Sequence, residues 1–108
     1  MERRLNAMYD MNNIKKLPLL GSKAKPAWDA FVAFDRAALA DGAIPKKYKE
    51  LMALAVALTT QCPYCIEIHK GAAIKSGVTE EELAEVTFVA AALRAGAAVT
   101  HGTHLIGG

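Results

Sequence analysis

The chain has 108 residues, 53% of them hydrophobic, with 13 basic against 11 acidic side chains, a formal net charge of +2. That length fits one domain with a core of its own, and the near-balanced charge leaves no footprint for nucleic acid. No uninterrupted apolar run approaches the roughly 20 residues of a membrane span. The opening MERRLNAMYDMNN also lacks the apolar stretch of a signal peptide, so a cytoplasmic location is expected, with no membrane partner.

Residues 1–25 are mixed and locally basic, with Lys15, Lys16, Lys23 and Lys25 around LPLLG. They read as an N-terminal arm or short helix followed by a loop. Residues 26–108 read as the helical domain. Pro26 opens its first helix, in which Trp28, Phe31, Val32, Phe34 and Leu39 recur at helical spacing as a core stripe, with Gly42 as the stop. Pro45 opens the second helix, IPKKYKELMALAVALTT. Its basic start opposes the helix dipole and calls for an acidic neighbour; Tyr48 reads as a core-edge residue.

The third helix is CPYCIEIHKGAAIKS, closed by Gly77, and its Gly71 suggests close helix packing. Pro63 fits the first helical position, which makes Cys62 the N-cap and sets Cys65 in the first turn. The fourth helix starts with a capping box, Thr79 with Glu82, and runs long and Ala-rich. Leu83, Val86, Val89, Ala90 and Leu93 make its buried stripe, and Gly96 permits close approach of another helix. The segment VTHGTHLIGG ends the chain with His101 and His104, either a frayed end or a contribution to a pocket or metal site. No strand pattern persists, so the fold class is all-α.

Chemistry concentrates in Glu50–His69, where Glu50, Cys62, Cys65 and His69 follow the spacing E-x11-C-x2-C-x3-H. Cys62, Cys65 and His69 share one helix face. A thiol reacts as its thiolate, which an imidazole or a helix N-terminus favours. Cys65 has His69 one turn below it, which makes Cys65 the nucleophile and Cys62 the resolving thiol. Glu50 stands in an otherwise apolar stripe, where a carboxylate is costly unless paired. If the chain turns near Thr60–Gln61, Glu50 and His69 come within roughly 5 Å along the helix axes. Glu50 can then orient His69, which in turn activates Cys65.

This pattern between two Ala-rich helices resembles the AhpD-like branch of the carboxymuconolactone decarboxylase family, over roughly residues 27–108. The resemblance implies an AhpD-like helical bundle, assembled into homo-oligomers (trimers or hexamers), and a thiol peroxidase. It also implies that Cys65 is peroxidatic and Cys62 resolving, with Glu50 and His69 as a proton relay and no cofactor or metal. Its partners would be a hydroperoxide substrate and an external dithiol, lipoyl or thioredoxin-like reductant. Some AhpD members carry a histidine between the cysteines; Tyr64 stands there in this chain.

Other readings remain open. CPYC is also the glutaredoxin tetrapeptide, but that fold needs a preceding strand early in the chain. Cys62, Cys65 and His69 with His101 or His104 would make a zinc-binding module. A decarboxylase like the family's namesake does not call for a cysteine pair. A non-enzymatic redox sensor would form the disulfide with slow peroxide reduction.

Overall fold

The computed structural model describes residues 9–108; the opening of the expected N-terminal arm, residues 1–8, lies outside them. The described residues form five α-helices and two short 3-10 segments, with no strand. They are α1 Leu17–Lys23, α2 Lys25–Leu39, α3 Lys46–Thr60, α4 Pro63–Lys75 and α5 Glu80–His101, with 3-10 turns at Met11–Lys16 and Gly102–Leu105. The all-α expectation holds. Two compact units divide the chain, one ending at Lys46 and one spanning Lys47–Gly108.

The first unit is more helical than its sequence suggests. LPLLGSK, inside the segment expected as an arm or short helix followed by a loop, is α1, with Pro18 in the first turn where its missing N–H is harmless. Gly21 is buried here, and a Cβ on it would meet the Trp28 ring at 2.5 Å, so only glycine fits. Trp28 also lies against Phe31, ring centroids 6.2 Å apart. The expected core stripe on α2 is not buried, however. No α2 residue is buried, and Phe34 is 72% exposed. Helical spacing shows that a face is apolar but not whether the same chain covers it. Asp41 closes the unit by accepting the Lys46 N–H at 2.7 Å, which serves an orphan donor at the start of α3.

The second unit is built from α3, α4 and α5. Leu54, Ala73 and Val78 form its core, with Leu51, Leu83 and Val86 packed against them. Glu50, Leu54 and Ala57 are the buried residues of α3. They fall at i, i+4 and i+7, so the carboxylate shares a stripe with the core. The basic start of α3 finds its acidic partner across the unit, Lys47 Nζ lying 3.2 Å from Glu82 Oε2.

The capping box at α5 is complete. Thr79 Oγ1 accepts the Glu82 N–H at 3.1 Å, and Glu82 Oε1 accepts the Thr79 N–H at 2.9 Å. Beyond that first turn, α5 departs from expectation. Only Ala90 of its stripe is buried, whereas Val89 and Leu93 are exposed, with Phe88 at 74% and Val99 at 76%. Two other helices offer too little surface to cover both sides of a 22-residue helix. Residues Glu80–Leu105 are moreover long and apolar enough, by length and composition alone, to cross a membrane. Counting unbroken apolar runs overlooks this, because Arg94 interrupts the run. Gly71 and Gly96 face open space rather than a packed helix, so the close packing expected at Gly71 is absent among the described residues.

Candidate active site

The site begins with how α3 ends. Cys62 N–H bonds to the Ala57 carbonyl at 3.1 Å, and Gln61 has φ +56. A six-to-one bond around one left-handed residue is a Schellman ending, usually made with glycine. Gln61 is the only non-glycine residue with positive φ among the described residues. Arg94 of α5 supports the same ending by donating from its guanidinium to the Thr59 carbonyl. The spacing singled out neither residue. Left-handed glutamine has no sequence signature, and the Arg94 tie joins residues 35 apart.

Cys62 then serves two helices. Its N–H closes α3, and its Sγ caps α4 by accepting the Cys65 N–H at 3.3 Å. Pro63 follows at the first helical position, as the sequence predicts. Both cysteines are free thiols and half-buried. The Cys65 thiol also faces the Cys62 sulfur closely enough to hydrogen-bond to it. This bond, with the Cys65 N–H, holds the Cys62 thiol below its ordinary value. The same bond pushes the Cys65 thiol up, and burial and the Cys62 charge act in the same direction. Of the two thiols, Cys62 is therefore the more readily ionised.

One turn further along α4, His69 meets α3. Its Nδ1 lies 2.9 Å from Glu50 Oε2. Glu50 is 2% exposed, and no buried side-chain polar atom among the described residues lacks a hydrogen-bond partner. A carboxylate at Nδ1 takes the N–H of that nitrogen, which leaves the Nε2 lone pair for proton transfer. The hairpin assumed from the sequence thus brings Glu50 and His69 together. Cys62, Cys65 and His69 follow one another on α4. His101 and His104 stand apart at the far end of α5, their rings 5.7 Å from each other. Among the described residues, no group of three or more His, Cys, Asp or Glu side chains is placed to hold a metal ion. The zinc alternative therefore lacks its ligand set.

A cleft of about 240 Å³ lies between the three helices, lined by Leu54, Leu58, Ile66, Lys70, Leu83 and Val86. It is mainly apolar, and Ile66 and Lys70, which line it, directly follow Cys65 and His69 on α4.

The sequence pattern of the Carboxymuconolactone decarboxylase family matches residues 26–106. The chain belongs to this family. A curated relative, uncharacterized protein 4 in the cox locus of Paracoccus denitrificans, is 51% identical over 97 residues, covering 87% of each chain. An uncharacterized protein of Cupriavidus necator is 39% identical over 67 residues, which span 62% of this chain and 59% of that one. Among solved structures, the apo form of a carboxymuconolactone decarboxylase family protein from Legionella pneumophila superposes with a TM-score of 0.72 at 34% identity, over 76% of this chain and 73% of that one. A protein from Methanobacterium thermoautotrophicum gives a TM-score of 0.75 at 29% identity, over 80% and 97%. The resemblance to the AhpD-like branch agrees with this membership, and the helical fold is shared.

Proposed function

We propose that the protein is a thiol-dependent peroxidase of the AhpD-like kind. The observation that carries this reading is the buried Glu50 carboxylate bonded to His69, on the same helix as a cysteine pair at its N-terminus. A carboxylate, an imidazole and a thiol in sequence form a nucleophile, base and orienter.

His69 Nε2 takes the proton that Cys65 carries at rest, and the Cys65 thiolate attacks the terminal oxygen of a hydroperoxide. The O–O bond breaks, Cys65 becomes a sulfenic acid, and the proton passes from His69 to the departing alkoxide. Cys62 attacks the sulfenic sulfur, water leaves and the Cys62–Cys65 disulfide forms. An external dithiol reduces it. Glu50 holds the histidine tautomer and favours the imidazolium in between. The exposed apolar face of α5 further supports assembly of like subunits through that helix, since contiguous apolar surface of this kind marks interaction sites.

The test is consumption of an organic hydroperoxide with excess dithiol by wild type, Cys65→Ser and Cys62→Ser. Turnover lost in both variants, with one sulfenic acid still formed in Cys62→Ser, is expected. Multiple turnover retained in Cys65→Ser overturns the assignment.

A further inference from the structure

The cleft between α3, α4 and α5 is graded from floor to mouth. Leu54 at its floor is 4% exposed. Leu58, Ile66, Leu83 and Val86 make half-buried walls, and Lys70 and Thr87 stand exposed at the mouth. The walls offer no spare donor. They are helical, so their backbone N–H groups bond within the helices or their caps. Ile66 N–H goes to the Cys62 carbonyl and Leu83 N–H to the Thr79 carbonyl, each at 3.0 Å. Thr87 Oγ1 gives its one proton to the Leu83 carbonyl, also at 3.0 Å. Lys70 differs from all of these. Its ammonium makes no hydrogen bond or ion pair with a described residue, whereas Lys47 in the same unit is paired with Glu82. No acidic side chain is among the described residues that line the cleft. An ammonium has three donors and no acceptor. Set over an apolar hollow, it matches a molecule with an anionic head and an apolar tail. Apolar side chains of a second copy would leave that ammonium without an acceptor.

We propose that this cleft is a binding site for a free carboxylic acid with an unbranched apolar chain, its carboxylate on Lys70 Nζ and its chain laid between the walls over Leu54. The volume of about 240 Å³ sets the chain length. It equals the share of about eight water molecules at ~30 Å³ each, and so of a chain of about eight carbon atoms. Larger ligands occupy clefts of roughly 300–1,000 Å³. The chain supplies most of the affinity, because it leaves water for an apolar surface. The head supplies orientation and selectivity, since an ion pair at an exposed mouth adds only modestly. Ile66 and Lys70 directly follow Cys65 and His69, so a seated chain lies against the same two turns of α4 that carry the thiol and the imidazole. The assignment rests on the cleft and its one unpaired cation, and stands whether or not Cys65 reduces peroxides.

The experiment is calorimetric titration of the full chain with butanoate, hexanoate, octanoate and 1-octanol, at neutral pH where carboxylate and ammonium are both charged. Wild type is compared with Lys70→Met, Lys70→Arg and Thr87→Glu. Each methylene added from butanoate to octanoate should tighten binding by about fourfold. Octanoate should bind wild type about fivefold more tightly than 1-octanol does. Lys70→Met should lose that preference and keep its affinity for 1-octanol, while Lys70→Arg retains both. Thr87→Glu sets a second carboxylate at the mouth and should weaken octanoate by about fivefold while sparing 1-octanol. Both positions are exposed, so the fold should survive, and circular dichroism checks this. If Lys70→Met loses its helical signal, Lys70→Gln takes its place under the same criteria. Octanoate that fails to bind wild type overturns the proposal, whatever covers the cleft instead. So does an affinity that does not rise with chain length. Equal octanoate binding by wild type, Lys70→Met and Thr87→Glu puts the ligand elsewhere on the protein and overturns it as well.

Discussion

Replacing Glu50 by glutamine removes a charge and little else, which separates a proton relay from a packing role. The carboxylate is 2% exposed and 2.9 Å from His69 Nδ1. A hydrogen bond to a charged group contributes about 1.5–3 kcal/mol, against about 0.5–1.5 kcal/mol between neutral groups. Glutamine can still accept the Nδ1 proton, so the change weakens the bond by about 1–2 kcal/mol. That loss falls on the imidazolium, the state formed while a proton is in transit, and corresponds to a factor of about 5–30 in rate. Stability moves differently, because the substitution also removes the desolvation cost of a buried carboxylate. The two terms oppose each other, and the unfolding free energy should change by less than about 1 kcal/mol. The assay is the single-turnover rate of peroxide consumption by reduced protein, beside urea unfolding of the same sample. A stability loss above about 3 kcal/mol with an unchanged peroxide rate would refute the relay and make Glu50 a structural residue.

Three further outcomes follow from the geometry. Gln61→Gly should stabilise the protein by about 1 kcal/mol by relieving the left-handed strain at φ +56, seen as a higher urea midpoint at unchanged slope. The Thr79 N–H, and after it the Lys47 amine, hold the Glu82 carboxyl below the usual carboxylate range. A depressed carboxyl stabilises the fold above its unfolded value of about 4.3, and that contribution is lost as pH falls through the lower folded value. The urea midpoint of wild type should therefore exceed that of Glu82→Gln at pH 7, with the gap narrowing by pH 3. Leu93→Glu places a charge at the centre of the exposed α5 face, where Leu93 is 67% exposed, so it should lower the mass measured by light scattering without loss of helix. Identical masses for variant and wild type would remove this face from the assembly.

Much of the site was legible because it is local. The proline after Cys62, the i, i+3 and i+4 spacing of Cys62, Cys65 and His69, and a turn near Thr60–Gln61 fix how α4 starts and where His69 falls along it. The meeting of Glu50 with His69 needed only the helical rise on either side of that turn. What stayed hidden depends on long-range pairing or on what covers an apolar face. Arg94 reaches a carbonyl 35 residues away, and no local pattern announces that. The apolar faces of α2 and α5 were read as core because helical spacing cannot say what covers a face. Within residues 1–25, Pro18 fits a first helical turn and Gly21 makes room for the Trp28 ring, a contact that local spacing does not announce.

The double duty of Cys62 links the redox state of the pair to its ease of reduction. In the reduced protein, Cys62 Sγ caps α4 by accepting the Cys65 N–H, and this bond, the Cys65 thiol and the helix N-terminus favour its thiolate form. Oxidation to the disulfide removes any thiolate charge and the thiol donor together, while the N–H and the helix end remain without an anion. The reduced form loses more than the oxidised form retains. A dithiol stabilised in this way makes a more oxidising disulfide, because reduction restores the cap. The internal disulfide should then be readily reduced by an external dithiol, as a cycling enzyme requires and a structural staple does not. Glu50 stands outside this effect. In the proposed relay it acts on the proton of Cys65 through His69, whereas the helix end acts on Cys62. Under the proposed mechanism the two sulfurs are therefore tuned by different parts of the fold, one by a buried carboxylate on α3 and the other by the backbone of α4.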